Sequence, residues 1–242
     1  MINLVELKNI KKNYGSKEAV KDLSFQIKEN EDLGLLGPNG CGKTTTIGMM
    51  LGLLKPTSGE ILIDNKKIEE NRIEILKKIN FISPYIELPK KLTVKQNLIV
   101  YGKLYNIKNL NNSIDYLVEK LRLQELLNKI TGELSSGQKN RVSLAKALIN
   151  SPKVLLLDEP TASLDPEVGD YIRTFLENYK KERKISILLA SHNMNEVKRL
   201  CKFVLMMKDG VIIDKGSPSE LIEKHGQKNL EEVFLKLSRS KK

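Results

Sequence analysis

The sequence predicts an α/β fold: a mainly parallel sheet, an antiparallel β part and an inserted block of helices. Three observations predict it. Short apolar runs at 33–36, 154–157 and 185–190 read as strands buried on both faces. Helix signals fall between those runs, which makes the sheet mainly parallel. From 84 to 150 the texture turns helical, setting that stretch apart from the strands on either side.

In chain order, strands are predicted at 4–10, 22–28, 33–36 and 60–63. The second alternates Leu23, Phe25 and Ile27, so one of its faces meets solvent. A helix over 43–53 ends at Lys55-Pro56-Thr57-Ser58-Gly59. A short helix over 72–79 places Ile73, Leu76 and Ile79 on one side and leads into a strand at 79–82. The helical block holds a helix over 93–106 with Thr93 as N-cap, another over 113–122 and a third from near 136. After the 154–157 strand, Asp165, Pro166 and Glu167 start a helix over 166–181. Asp209-Gly210 joins strands 203–207 and 211–214 as a hairpin. Ser217-Pro218-Ser219-Glu220 is a capping box that opens a helix over 218–224. A last amphipathic helix (Leu230, Val233, Phe234, Leu237) runs into a basic, fraying tail from Arg239 to Lys242.

The chain has 242 residues, 40% hydrophobic and 29% charged, an ordinary globular composition. No apolar run approaches the ~18 residues that span a bilayer, and the N-terminus lacks a signal-peptide layout. A soluble, intracellular protein is expected. Two cysteines, Cys41 and Cys201, are too few for a disulfide framework and are expected to be reduced. The formal charge of +11 admits three readings: a lysine-rich composition, attraction to an anionic membrane surface, or nucleic-acid binding. The lysines are scattered and aromatics make up only 5%, so stacking platforms for a nucleic acid are scarce.

Residues 37–44 read G-P-N-G-C-G-K-T between the buried strand Leu33–Leu36 and the helix that follows. This is the P-loop pattern G-x-x-x-x-G-K-[ST] in the context that gives it meaning. Gly37, Gly40 and Gly42 allow the backbone to wrap a polyphosphate, with Pro38, Asn39 and Cys41 between them. The loop N–H groups and the helix start, with Thr45 in its first turn, face the anion. Lys43 reaches the β/γ-phosphates and the Thr44 hydroxyl holds Mg²⁺. Cys41, beside Lys43 and a helix N-terminus, is expected to be a reactive thiol. Leu155-Leu156-Leu157-Asp158-Glu159-Pro160 ends a buried strand with two carboxylates, at the sheet edge where open α/β folds bind ligands. Asp158 is expected to hold Mg²⁺, and Glu159 to orient and deprotonate the attacking water. Ser135, Ser136, Gly137 and Gln138 open another helix, which makes either a second anion site or a simply capped helix.

Together these residues resemble the ATP-binding cassette (ABC) ATPases, over nearly the whole chain. The order of phosphate loop, Leu134-Ser135-Ser136-Gly137-Gln138, L-L-L-D-E-P, Ser163-Leu164-Asp165 and Ser191-His192 is similar to the family's motif series, and L-S-S-G-Q is its own signature. The resemblance implies a P-loop NTPase core at 1–83 and 151–220, a helical subdomain at 84–150, and a C-terminal helix and tail at 221–242. It implies ATP and Mg²⁺ as ligands, and two subunits, expected to be identical, paired head-to-tail. Each nucleotide would lie between one phosphate loop and the partner's Ser136-Gly137, with Asp165 across the same interface. His192 would contact the γ-phosphate and position Glu159, and Tyr14 would stack on adenine. His225 keeps the plainer reading of a helix-end or surface residue.

By the same resemblance, the chain powers transport through separate integral-membrane permease subunits from the cytoplasmic face of the cell membrane. The ending 229–237 is similar to exporter-type cassettes. A soluble ATPase acting on ribosomes or nucleic acid is the alternative; it usually carries two cassettes or large insertions, whereas this sequence has one motif set and no Cys-rich cluster. A non-enzymatic scaffold conflicts with intact Lys43, Asp158, Glu159 and His192. One departure stands out. The glutamine that family members usually carry after the 79–82 strand is absent, and Ser83-Pro84 fill its place.

Overall fold

The computed structural model describes residues 3–84, 86–162 and 164–239. Ser163 and the tail residues 240–242, on which two expectations fall, lie outside the described residues.

Two sheets organise the chain. The first is antiparallel, in the order β2-β1-β4-β5. Its strands are β1 (Asn3–Tyr14), β2 (Lys17–Lys28), β4 (Ser58–Ile63) and the short β5 (Lys66–Lys67). The first two are longer than their apolar centres, because a tight turn at Gly15 extends the hairpin until Tyr14 pairs with Lys17. The second sheet has six strands in the order β10-β9-β3-β8-β7-β6. They are β3 (Asp32–Leu36), β6 (Ile79–Ile82), β7 (Val154–Asp158), β8 (Ser186–Ser191), β9 (Phe203–Lys208) and β10 (Val211–Gly216). From β9 to β6 every pairing is parallel, with Leu33 opposite Leu188, Leu155 opposite Ile187 and Ile82 opposite Leu157. Only β9–β10 is antiparallel, and Asp209 and Gly210, both at positive φ, turn that hairpin.

The second sheet is buried on both faces, which explains its continuous apolar strands. Successive residues point to opposite sides. Leu155, Leu157, Ile187 and Leu189 join the core that holds the helices, while Val154, Leu156, Leu188 and Ala190 join the core under the first sheet.

The helices are α1 (Lys43–Met50), α2 (Ile68–Leu76), α3 (Val94–Leu104), α4 (Leu110–Lys120), α5 (Ser136–Leu148), α6 (Pro166–Arg183), α7 (Met194–Leu200), α8 (Pro218–His225) and α9 (Leu230–Arg239). Capping boxes at Thr93, Ser135 and Ser217 start α3, α5 and α8, and Asp165 caps α6 by accepting from the Val168 N–H. Three helices differ from the sequence reading by three residues or more at an end, the first being the 43–53 helix, which stops at Met50. The 72–79 helix begins at Ile68, kinks at Asn71 and ends before the strand; the 113–122 helix begins at Leu110. Helix α7 carries no sequence signal strong enough to predict, since its single pair of buried apolar residues, Val197 and Leu200, is too short for a period. Its start is fixed instead by Asn193, which accepts from the N–H groups of Asn195 and Glu196.

Candidate functional site

Strands β3, β7 and β8 lie side by side, and their carboxyl ends deliver the chemistry-bearing residues to one edge of the sheet. The loop after β3 can turn only with glycine. A Cβ on Gly37 would stand 2.3 Å from the Met207 carbonyl oxygen, and Gly42, at φ 110°, would meet the Ala19 carbonyl at 2.6 Å. That tightness places Lys43 at the start of α1, where its Nζ donates to the carbonyls of Gly37 (2.7 Å) and Pro38 (3.2 Å). A cleft of about 330 Å³ opens beside the loop, lined by Tyr14, Asn39, Gly40, Gly42 to Thr45, Asp158 and Glu159. Lys17 and Ala19 of β2 complete its wall; they were missed in the sequence, although the hairpin partner of Tyr14 had to be near it.

The two carboxylates at the end of β7 behave differently. Asp158 is buried, its Oδ2 accepts from the Thr44 hydroxyl at 2.9 Å, and its Oδ1 has no hydrogen-bond partner. Burial pushes this carboxyl up, while bonds from Thr44 and the Ser83 side chain pull it back. The serine in the place of the missing glutamine therefore reaches the same carboxylate. Glu159 sits in the left-handed region at φ 50°. Its Oε1 accepts from the His192 N–H at 3.0 Å and lies 2.8 Å from His192 Nδ1. Lys43 Nζ stands 3.7 Å from the same oxygen. Thus Lys43, Thr44, Asp158, Glu159 and His192 converge from three separate stretches of chain.

Cys41 corrects its expectation. Its side chain is buried against the loop, and burial pushes the thiol up more strongly than neighbouring Lys43 lowers it. Tyr14 is half exposed beside the cleft, with the Lys12 ammonium 5.2 Å from its ring centre. Ser135, Ser136, Gly137, Gln138 and Asp165 do not line the cleft of their own chain. Ser135 and Gln138 cap each other, Gly137 packs on Val168, and Ser136 is exposed at the mouth of a second groove of about 260 Å³ with Ser83, Pro84 and Leu164. His225 lies 2.5 Å from Asp214, away from the cleft at the end of α8.

Comparison with known proteins agrees with this geometry. The family profile described as ABC transporter matches residues 20–162. The chain belongs to the ABC transporter family. It is similar to the bacitracin transport ATP-binding protein BcrA of Bacillus licheniformis, at 37% identity over 96% of this chain and 75% of that protein. It is also similar to the Nod factor export ATP-binding protein I of Rhizobium sp. strain N33, at 36% identity over 95% and 76%. Among solved structures it resembles a dimeric ATP-binding cassette in a post-hydrolysis state bound to ADP and Pi, with a TM-score of 0.80, 28% identity, and 88% and 98% coverage. This ABC cassette is an ATP-binding, ATP-hydrolysing transporter subunit, and the ribosome or nucleic-acid reading falls away. Among the described residues no helix is long and apolar enough to cross a membrane.

Proposed function

We propose that two copies of this cassette pair head-to-tail around two ATP molecules and drive export through integral-membrane subunits at the cytoplasmic face of the membrane. The observation that carries the pairing is the exposed start of α5. The Ser135 hydroxyl accepts from the Gln138 N–H, and the exposed Ser136 with the remaining N–H groups of the helix start suits an anion, yet none of them faces the cleft of the same chain. A second chain supplies the phosphate that such a site fits, and Asp165 at the start of α6 lies across the same junction. Export, as the direction, is supported by the name of the Nod factor export relative and by the ending 229–237. Helices α3–α5 form the 84–150 subdomain, and its junction with 1–83 and 151–220 receives the membrane partner; 221–242 adds the C-terminal helix and tail.

Within each cleft, Tyr14 stacks on adenine and the loop from Gly37 to Thr45 wraps the phosphates. Lys43 neutralises the β/γ-phosphates. His192 holds Glu159 by its Oε1, and Glu159 takes the proton of the attacking water. Mg²⁺ fits the donor set, because the buried, unpartnered Asp158 Oδ1 beside the Thr44 hydroxyl is a pair of hard oxygen ligands. Bound there, the ion would supply neutralisation of phosphate charge.

The test is Glu159→Gln in the full chain. The change removes the base and keeps the shape, so ATP binding persists, hydrolysis falls by about a thousandfold or more and the chain elutes as an ATP-dependent dimer. Ser136→Glu, which sets a like charge against the γ-phosphate, abolishes that dimer. Wild-type turnover in Glu159→Gln sinks the assignment of the base, and an ATP-loaded monomer at micromolar concentration sinks the head-to-tail pair.

A further inference from the structure

Helix α7 brings a third carboxylate to the site. Glu196 is 2% exposed. Its Oε1 accepts from the Thr161 hydroxyl at 2.7 Å, and its Oε2 stands 2.8 Å from the Ser191 hydroxyl. Ser191 is in turn held by the Asn193 N–H at 3.0 Å and lies 3.3 Å from Glu159 Oε2. Thr161 follows Glu159 by two residues, and Ser191 precedes His192. One buried side chain therefore clasps both the turn that carries the base and the strand end that carries its histidine partner.

The clasp has something to hold. Glu159 has a left-handed backbone, a conformation that costs about 1–2 kcal/mol for a residue with a Cβ and persists only where its surroundings enforce it. The peptide contacts around it are few: the Glu159 N–H donates to the Ala190 carbonyl at 2.8 Å, and the Ala162 N–H to the Glu159 carbonyl at 3.1 Å. A buried carboxylate is a costly anchor in an apolar core, and desolvation pushes Glu196 up. A neutral apolar residue would pack there without that cost, so its place beside the base calls for a positioning role.

We propose that Glu196 is a positioning residue for ATP hydrolysis, fixing Glu159 against His192 by holding Thr161 and Ser191 at once. The inference rests on the reading of Glu159 as the base. Glu196 does not line the nucleotide cleft and acts through its two hydroxyl partners. Its amide analogue can serve both of them in either orientation, accepting from one hydroxyl and donating to the other.

The test compares Glu196→Ala, Glu196→Gln and Ser191→Ala in the full chain, with Glu159→Gln beside them. Turnover is scaled to nucleotide-binding sites counted with a fluorescent ATP analogue. Glu196→Ala lowers kcat at least about tenfold with the ATP KM unchanged within about twofold, because a displaced base slows chemistry and not binding. Glu196→Gln restores kcat to within about threefold of wild type. Ser191→Ala lowers kcat in the same direction with KM unchanged, and it decides the matter if Glu196→Ala does not fold. Wild-type kcat in Glu196→Ala or Ser191→Ala overturns the proposal, as does a loss in Glu196→Gln equal to that in Glu196→Ala. If Glu159→Gln is inert while those variants turn over normally, only the Glu196 inference falls. If Glu159→Gln turns over normally, the base assignment falls and the inference goes with it.

Discussion

Lys146 offers a sharp test of how the helices are seated on the sheet. It is 8% exposed in the last turn of α5, where its ammonium donates to the Phe81 carbonyl on β6 at 3.2 Å. The rings of Phe81 and Tyr101 lie 4.8 and 5.6 Å from it. Burial pushes its pKa down from 10.5 to about 8. A lysine whose folded pKa lies below its unfolded one binds its proton less tightly in the native state. Stability therefore rises with pH between about 8 and 10.5, and the deficit is fully present below 8. Integrated from pH 7 to 9.5, one such proton amounts to about 2 kcal/mol. The two rings attract the cation and oppose the shift, which makes that figure a ceiling. Lys146→Met keeps the stem and removes the charge, so it lacks this pH term. Urea unfolding of wild type and variant, followed by circular dichroism at pH 7, 8.25 and 9.5, gives the difference directly, with every other titrating group cancelling. Wild type should gain on the variant by about 1–2 kcal/mol across that range. Parallel stability profiles would refute the claim that this charge is buried at a cost.

Two further predictions concern the site. Cys41 and Cys201 are both buried with raised thiols, so iodoacetamide at pH 7.5 should alkylate the native chain at least about tenfold more slowly than the urea-unfolded chain; fast labelling of Cys41 that blocks ATP binding would reinstate a reactive thiol. Ser83→Ala removes a hydroxyl bonded to Asp158, an interaction of about 1.5–3 kcal/mol for a charged acceptor, and should raise the Mg²⁺ needed for half-maximal hydrolysis severalfold while ATP binding without metal stays unchanged. Pro84→Gln, which restores an amide carbonyl near the site, should shift the same titration the opposite way. A titration unmoved by Ser83→Ala removes that residue from the site.

Much of this was legible because the signals are local. Buried strands announce themselves as continuous apolar runs, caps at Thr93, Ser135, Asp165 and Ser217 as short polar patterns, and the phosphate loop as glycines whose missing Cβ atoms the structure shows to be needed. What escaped is set by tertiary approach. Glu196 is an ordinary polar residue until α7 brings it to the hydroxyls of Thr161, 35 residues earlier, and of Ser191 beside Glu159. Cys41 failed for the same reason: its sequence neighbours argue for a lowered thiol, but its spatial neighbours exclude water, and desolvation outweighs the adjacent cation.

The pairing of β6 with β7 carries the last step. Ile82 is in register with Leu157, so Ser83 emerges beside Asp158 from one side of the ladder while Glu159 emerges beyond it on the other strand. Pro84 and Ile86 then continue from Ser83 into the second groove, where they meet Ser136 and Leu164. From the other wall of that groove, Asn140 on α5 donates to the Pro160 carbonyl at 2.7 Å, one residue after Glu159. The nucleotide cleft and the groove beside the helical block thus meet at the end of β7, where Ser83 bonds to Asp158 and Asn140 to the Pro160 carbonyl. A change in the metal-side bonds of Asp158 pulls on Ser83, and a change in the seat of α5 pulls on Pro160. If a membrane subunit sits in that groove, these two short tethers join it to the hydrolysis site, and Asn140→Ala, which cuts only the second, should leave hydrolysis by the isolated chain within about twofold of wild type while weakening its stimulation by the membrane subunit.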